Sequence, residues 1–450
     1  MRRRTAREDG RLGRTGYPSE LLPRLLRFDT TNPPGAERAC IEWLEGILRS
    51  GGLETKIVAA DPERPNLVAR LPGDGAAAPL LLQGHVDVVS TAGQRWTHPP
   101  FDGVVADGFV WGRGALDMKA GVAIMVAAVL GLAAAGTRPA GDLVLALLCD
   151  EEAGGDLGAR FLVERHPELL DGVRYGIGEF GGFSMDVAGR RFYPIQVAEK
   201  EICSTRATVR GPGGHGSIPM RGGTTARLAA LLRALDRRRL PVHPTDVPRR
   251  MIEGIAAELP APARAPLRGL LNPRLTDGLL RVLGDAGRGF EPMLRNTVNA
   301  TIVHAGDTLN VVPSEATAEL DGRLLPGFAP DDFLAELRAV VGEDVELEVL
   351  RHERGRTEPD LALFGLLAGV LRERDPGATP VPMLLPGVTD GRIFAKLGIQ
   401  TYGFLPMQLP KELRFTQLLH SADERVPVEA VGFGTEAIRA VLERYGRPGA

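Results

Sequence analysis

Two histidines and several carboxylates in this chain sit where polar side chains are costly unless they have a partner. His85 closes the apolar run LLLQGH and Asp87 follows two positions later. Asp117 lies in WGRGALDMKAG, Glu151 and Glu152 in CDEEAGG, Glu179 in GIGEF and His420 in LLHSADERVP. Taken singly, each also matches a solvated turn or strand end. Together they supply imidazole nitrogens and carboxylate oxygens, the donor mixture that suits zinc or cobalt. Carboxylates crowded into one place repel unless cations neutralise them, and one carboxylate can bridge two ions about 3.5–4 Å apart. The chemistry open to such a set is that of a dimetal centre.

A set spread over 336 positions needs elements that bring it together. From about residue 18 to 198, helix and strand signals alternate: helices near 18–28 and 36–51, strands at 54–58, 66–71, 79–84 and 143–149. That alternation predicts an α/β architecture with a mainly parallel sheet between helices, and ligand sites in such sheets gather at the carboxyl ends of strands. Three apolar runs end in metal-type residues, LLLQGH at His85, LVLALLCDEE at Glu151 and Glu152, and RYGIGE at Glu179. Alternation along a strand places residues 85 and 87 on one side. The longest apolar segment, GVAIMVAAVLGLAAAG at 121–136, is shorter than the roughly 20 residues that span a bilayer and reads as a buried helix.

A different pattern starts near residue 200. ICSTRATVRG, NTVNATIVHAG, ATAELDGRL and VELEVLRH read as strands, with TTARLAALLRAL and PDDFLAELRAVVG as helices. Their order, β-α-β-β-α-β, is the split βαβ of ferredoxin-like domains. The expected organisation is a catalytic domain in two parts, 1–198 and 353–450, interrupted by a ferredoxin-like α+β domain at 199–352. Within the latter, 241–295 forms a Pro- and Arg-rich helical insertion.

With 450 residues, more than one hydrophobic core is expected. The 54 Lys and Arg against 57 Asp and Glu give a net charge of -3, which offers no electrostatic case for a nucleic-acid partner or an anionic membrane. Cys40, Cys149 and Cys203 have no framework spacing, which suggests a reducing compartment. The start, MRRRTAREDGRLGR, lacks the apolar stretch of a secretory signal and reads as a frayed terminus, so the expected residence is cytoplasmic.

Five of these motifs, in this order and with these gaps, resemble the M20 family of metallopeptidases and amidohydrolases, from RFDTTNPPG to His420. The resemblance implies a zinc-peptidase-like catalytic domain with an inserted lid and dimerisation domain. It also implies two divalent ions, zinc or else cobalt or manganese. His85 and Glu179 would hold one, Glu152 and His420 the other, and Asp117 would bridge them. Asp87 would accept the other ring N–H of His85 and fix its tautomer. Glu151 would be the general base, taking a proton from water and passing it to the leaving amine. His215, in VRGPGGHGSIP, would reach across a homodimer interface to the partner's site and stabilise the oxyanion. GPGGHG superficially resembles a dinucleotide loop, but no acidic residue follows at the required distance.

The same resemblance makes Asn310 and Arg323 of TLNVVPSEATAELDGRLLPG, and Thr389 and Arg392 of PGVTDGRIF, substrate-binding residues. Arginine suits bidentate contact with a carboxylate. EFGGFS departs from the family pattern after Glu179. Phe180 and Phe183 there would line an apolar pocket or simply pack in the core. The expected activity is hydrolysis of an N-acyl amino acid or small peptide with a free carboxylate. One alternative is a di- or tripeptidase that recognises a free amine, and another is a catalytically silent metal- or amino-acid-binding protein.

Overall fold

The computed structural model describes residues 18–448, so the Arg-rich start expected to fray lies outside the described residues. Two compact units emerge from the described chain. One runs up to Val197 and resumes with Pro359–Met383 and the residues from Thr389 on. The other holds Ala198–Glu358 and Leu384–Val388.

A nine-stranded sheet forms the centre of the first unit. Its middle is four parallel strands side by side: Leu143–Leu148, Leu80–His85, Tyr175–Gly178 and Gln400–Gly403. The first three are buried along their whole length, which is why each reads as an unbroken apolar run and not as an alternating one. Antiparallel strands extend the sheet on both sides. Asn66–Leu71 and Glu54–Val58 follow Leu143–Leu148, and Arg190–Glu199 follows Gln400–Gly403. The mainly parallel sheet expected from the sequence is therefore met in its centre, with antiparallel strands at its margins.

One face of this sheet is covered by the helix Lys119–Ala134, apolar all round because the helix Val428–Arg444 packs on its outer side. On the opposite face, Leu162 and Val163 of the helix Ala159–Arg165 join Leu81, Val144, Ala146, Ile393 and Phe394 in one core cluster. Each such side chain contributes about 1.5–3 kcal/mol on burial. Among the described residues no helix is long and apolar enough to cross a membrane. Cys40, Cys149 and Cys203 are free and buried.

The second unit carries a four-stranded antiparallel sheet in the order Thr297–His304, Glu315–Leu324, Glu201–Arg210, Glu346–Glu353. The chain visits these strands second, third, first, fourth, which is the split βαβ topology expected from the sequence. Burial in Glu315–Leu324 alternates residue by residue, one face polar and the other against Leu228, Leu231, Phe333 and Leu337 of the two helices. Between the first helix and the second strand lie the helices Asp246–Glu258, Ala261–Gly269 and Thr276–Leu283. Arg295 ties this insertion down: its buried guanidinium donates to the Leu240 carbonyl at 2.9 Å and to Asp277 at 2.5 Å.

Candidate metal centre

Three neighbouring parallel strands deliver the first ligands. His85 is the last residue of Leu80–His85, and Glu179 directly follows Tyr175–Gly178. Glu151 and Glu152 open a single 3-10 turn three residues beyond Leu143–Leu148. Because these strands run parallel and in register, their carboxyl ends lie together. Asp117 enters from the loop before Lys119–Ala134, across a cis Asp117–Met118 peptide, and His420 from the segment after Phe415–Leu418.

Two groups result. His85 Nε2 lies 3.2 Å from Asp117 Oδ1 and 3.4 Å from Glu179 Oε2. His420 Nε2 lies 3.3 Å from Asp117 Oδ2 and 3.4 Å from Glu152 Oε2. Each trio of donor atoms falls within 4.8 Å. Asp117 thus offers one oxygen to each group, the geometry of a bridging carboxylate. Glu151 belongs to neither: its Oε2 stands 4.0 Å from His85 Nε2.

Asp87 does more than orient the imidazole. His85 Nδ1 lies 3.0 Å from the main-chain carbonyl of Asp87, while the Asp87 carboxylate is farther, at 3.4 Å. That fully buried carboxylate instead accepts the N–H groups of Glu151 at 3.2 Å and Glu152 at 3.1 Å, and the Asn32 amide at 2.8 Å. One aspartate therefore holds both the histidine and the acidic turn. Asn32 reaches on to Asp150 Oδ1 at 3.2 Å, and Arg64 donates to Asp150 at 2.9 Å and to Glu37 at 2.7 and 3.1 Å. On the other side Glu424, fully buried, accepts the N–H groups of Gly114, Leu116 and Asp117 and the guanidinium of Arg113. These contacts fix the Asp117 loop to the segment that carries His420. Asn32, Glu37, Arg64 and Glu424 carry no role in the sequence-based expectations, although Asn32 lies in the motif RFDTTNPPG and Glu424 follows His420 by four residues in HSADE.

Some of the left-handed non-glycine residues lie on the same turns, while Asp107 and Ala188 share that conformation away from them. Asp150, Phe180 and His420 occupy the left-handed region, with φ of 70°, 61° and 59°. Such residues cost of order 1–3 kcal/mol each and persist where their surroundings dictate the conformation.

The electrostatics match a missing positive charge. Burial opposes the His85 imidazolium, yet Asp117, Asp87 and Glu179 hold its pKa well above the ordinary value. Asp117 and Glu152 lift His420 to about 10. Burial, reinforced by Asp117, pushes Glu179 up to about 7. Burial and then the charge of Glu179 raise Glu151 well above the usual carboxylate range. The carboxylates thus favour positive charge at both groups, which divalent ions would supply. Glu152 turns Oε2 towards His420, and its Oε1 is buried without a hydrogen-bond partner. The donor set and the shared carboxylate fit a pair of divalent ions.

The other sequence candidates fall elsewhere. Thr389 and Arg392 belong to the first unit, but both are buried. Arg392 donates to the carbonyls of Thr389 at 2.7 Å and Gly154 at 2.8 Å, so its guanidinium braces the turn behind Glu151 and Glu152. His215, Asn310 and Arg323 are in the second unit. His215 is exposed, and its Nδ1 faces the hydroxyl and N–H of Ser217 at 2.7 and 3.2 Å, which assigns the ring proton to Nε2 as an outward donor. Asn310 is exposed, and Arg323 forms a bidentate pair with Asp321 at 2.7 and 3.2 Å.

Comparison with known proteins follows the same outline. The family model described as peptidase family M20/M25/M40 matches residues 81–444. Succinyl-diaminopimelate desuccinylase of Paracoccus denitrificans (strain Pd 1222) is 29% identical over 443 residues, covering 95% of this chain and 98% of its own. Aminoacylase-1 of Sus scrofa is 27% identical over 425 residues, with 92% of each chain covered. An M20 family metallo-carboxypeptidase from Sulfolobus solfataricus has the same fold, with a TM-score of 0.65 at 18% identity over 94% of this chain and 98% of its own.

Proposed function

Because the chain belongs to peptidase family M20/M25/M40, and so is a hydrolase of amide or peptide bonds, we propose that it frees an amino acid from an N-acyl amino acid or from a small peptide with a free carboxylate. The observation that carries this reading is the pairing of a split carboxylate with a spare one. Asp117 gives one oxygen to each histidine-carboxylate group, and Glu151 stands beside them uncommitted.

In this reading His85 and Glu179 would hold one divalent ion, Glu152 and His420 the other, and Asp117 would serve both. Zinc, cobalt and manganese all suit the donors. Bound there, the ions would polarise the substrate carbonyl and lower the pKa of water. Glu151 takes the proton of the attacking water and passes it to the leaving amine, so that nitrogen departs neutral. Asp87 keeps Glu151 and Glu152 in place through their N–H groups, and Arg392 supports the turn from behind. The Nε2–H of His215, contributed by the second subunit of a homodimer, donates to the developing oxyanion. Asn310 and Arg323 anchor the free carboxylate. Residence in the cytoplasm is part of the same proposal.

The test is mass-spectrometric turnover of a mixed pool of N-acyl amino acids and dipeptides by the zinc-loaded protein and by Glu151→Gln, with metal content measured on both. Two metals per chain in each, and cleavage by the wild type alone, are expected. Two bound metals without cleavage of any member by the wild type would favour a binding protein. Products released only from free-amine dipeptides would favour the peptidase alternative.

A further inference from the structure

We propose that Gln94 is a positioning residue for His420: its side-chain amide holds the main-chain carbonyl of that histidine and so sets the imidazole in place for the second ion. This rests on the reading that Glu152 and His420 hold an ion.

His420 has the least regular support of the candidate ligands. His85 ends a strand, Glu179 follows one, and Asp87 holds the turn that carries Glu152. His420 instead stands half exposed on a turn segment between Phe415–Leu418 and Arg425–Pro427, with φ of 59°. Asp423, three residues on, has φ of 60°. Left-handed backbone at residues other than glycine persists where the surroundings dictate it. Here the surroundings include the loop 94–97, 326 positions earlier in the chain. Gln94 Nε2 donates to the His420 carbonyl at 2.7 Å. Thr97 donates to the Asp423 carboxylate through its N–H at 2.7 Å and its hydroxyl at 2.8 Å. The loop grips the segment at the two residues whose backbone is left-handed.

The other end of the Gln94 amide closes a circuit. Its Oε1 accepts from Arg113 Nη2 at 2.8 Å, Arg113 Nη1 donates to Glu424 Oε2 at 2.5 Å, and Glu424 Oε1 accepts the Asp117 N–H at 3.1 Å. Asp117 Oδ2 in turn faces His420 Nε2 at 3.3 Å. The shared carboxylate and the second histidine are therefore joined twice, once across the ion's position and once through Glu424, Arg113 and Gln94. Trp96 of the same loop lies against the Arg113 guanidinium, 5.2 Å from ring centroid to Cζ, and steadies that link.

An amide is the group this place requires. It faces a carbonyl acceptor on one side and a guanidinium donor on the other, and an amide offers one donor and one acceptor end. A carboxylate of the same size would satisfy Arg113 but set oxygen against oxygen at His420. Gln94→Glu thus cuts one link of the circuit and keeps the other.

The experiment measures the zinc affinities of the full chain by competition with a chelator, for the wild type, Gln94→Glu, Gln94→Met and His420→Ala, together with urea unfolding of the metal-free proteins. His420→Ala shows which ion belongs to that histidine. Gln94→Glu should weaken the same ion about 10- to 100-fold, the usual loss when a group that orients a ligand is removed, and leave the other within about threefold. Gln94→Met, which cuts both links, should weaken that ion at least as far. The unfolding midpoint of Gln94→Glu should match the wild type. Unchanged affinities in Gln94→Glu overturn the proposal, and a loss confined to Gln94→Met does so by showing that Gln94 serves Arg113 and not His420. Equal weakening of both ions with a lowered unfolding midpoint overturns it too, since Gln94 would then be a general prop. A wild type that binds fewer than two zinc ions, or a His420→Ala protein that binds both as the wild type does, overturns the reading beneath it as well.

Discussion

Apart from half-exposed His420, the polar residues of the first unit's site are buried or partly buried and joined to one another, whereas His215 and Asn310 of the second stand in the open. Behind His85 and Asp117, the carboxylates of Asp87, Asp150 and Glu37 meet backbone N–H groups, an amide or a guanidinium, in a network running from Glu37 through Arg64, Asp150 and Asn32 to Asp87. His215 and Asn310 are exposed on loops, and Arg323 has a single partly exposed partner. The difference follows from the tasks. Holding crowded carboxylates together needs rigid, dry surroundings that cost much to disturb. Meeting a substrate needs groups that can still change partner.

The largest expected effect tests the spare carboxylate. Glu151→Gln should lower kcat by about 10²–10⁴, the usual contribution of a general base, and leave two metals bound. Loss of metal alongside activity would make Glu151 a ligand and erase the distinction drawn above. Next comes Arg64→Met, which strips Glu37 and Asp150 of their buried cation. Removing one partner of a buried pair costs about 3–5 kcal/mol, readable as a shift in urea unfolding. A change under about 1 kcal/mol would place this network with ordinary surface pairs.

How much of this was legible beforehand differs between the units in the same way. His85, Glu151, Glu152 and Glu179 could be read because they close apolar runs at strand ends, and parallel strands in register must bring such ends together, whereas Asp117 and His420, on loops, came only with the family resemblance. The ferredoxin-like unit could be read because its strands and helices keep their periods. Arg64, Glu37 and Glu424 could not, because each is an ordinary charged residue whose partner is 27 to 311 positions away. Sequence gives no direction for a side chain either, so the bonds of Arg392 to the Thr389 and Gly154 carbonyls could not be foreseen. Phe180 and Phe183 were ambiguous for the same reason, since an aromatic ring beside a ligand serves core and pocket alike.

His215→Ala brings the comparison to the exposed side. Removing an oxyanion donor costs about 10²–10³ in kcat, while stability should move by less than about 0.5 kcal/mol because the ring is exposed. Kinetics and unfolding on one preparation would read both, and a large loss of stability would refute the description of this loop as open. Smaller still is Glu424→Gln, expected to weaken metal binding about 10- to 100-fold, as loss of a group that orients a ligand does. Competition with a chelator would measure it. Unchanged affinity would mean that the Asp117 loop holds its shape without Glu424.

The smallest stability effect is expected at Arg323→Met, and it separates the two kinds of arginine most sharply. Its pair with Asp321 is partly exposed on both sides, and exposed pairs contribute about 0–1 kcal/mol because water and salt already screen them. The same Arg→Met change that unsettles the fold at position 64 should thus leave unfolding nearly unmoved at 323. If Arg323 anchors the substrate carboxylate, the loss appears in KM for the acyl amino acid. It should vanish when that substrate is replaced by its carboxamide, which has no charge to hold. A KM loss that persists with the carboxamide would mean that Arg323 acts on shape and not on charge. No KM loss with either substrate would leave the carboxylate to another residue.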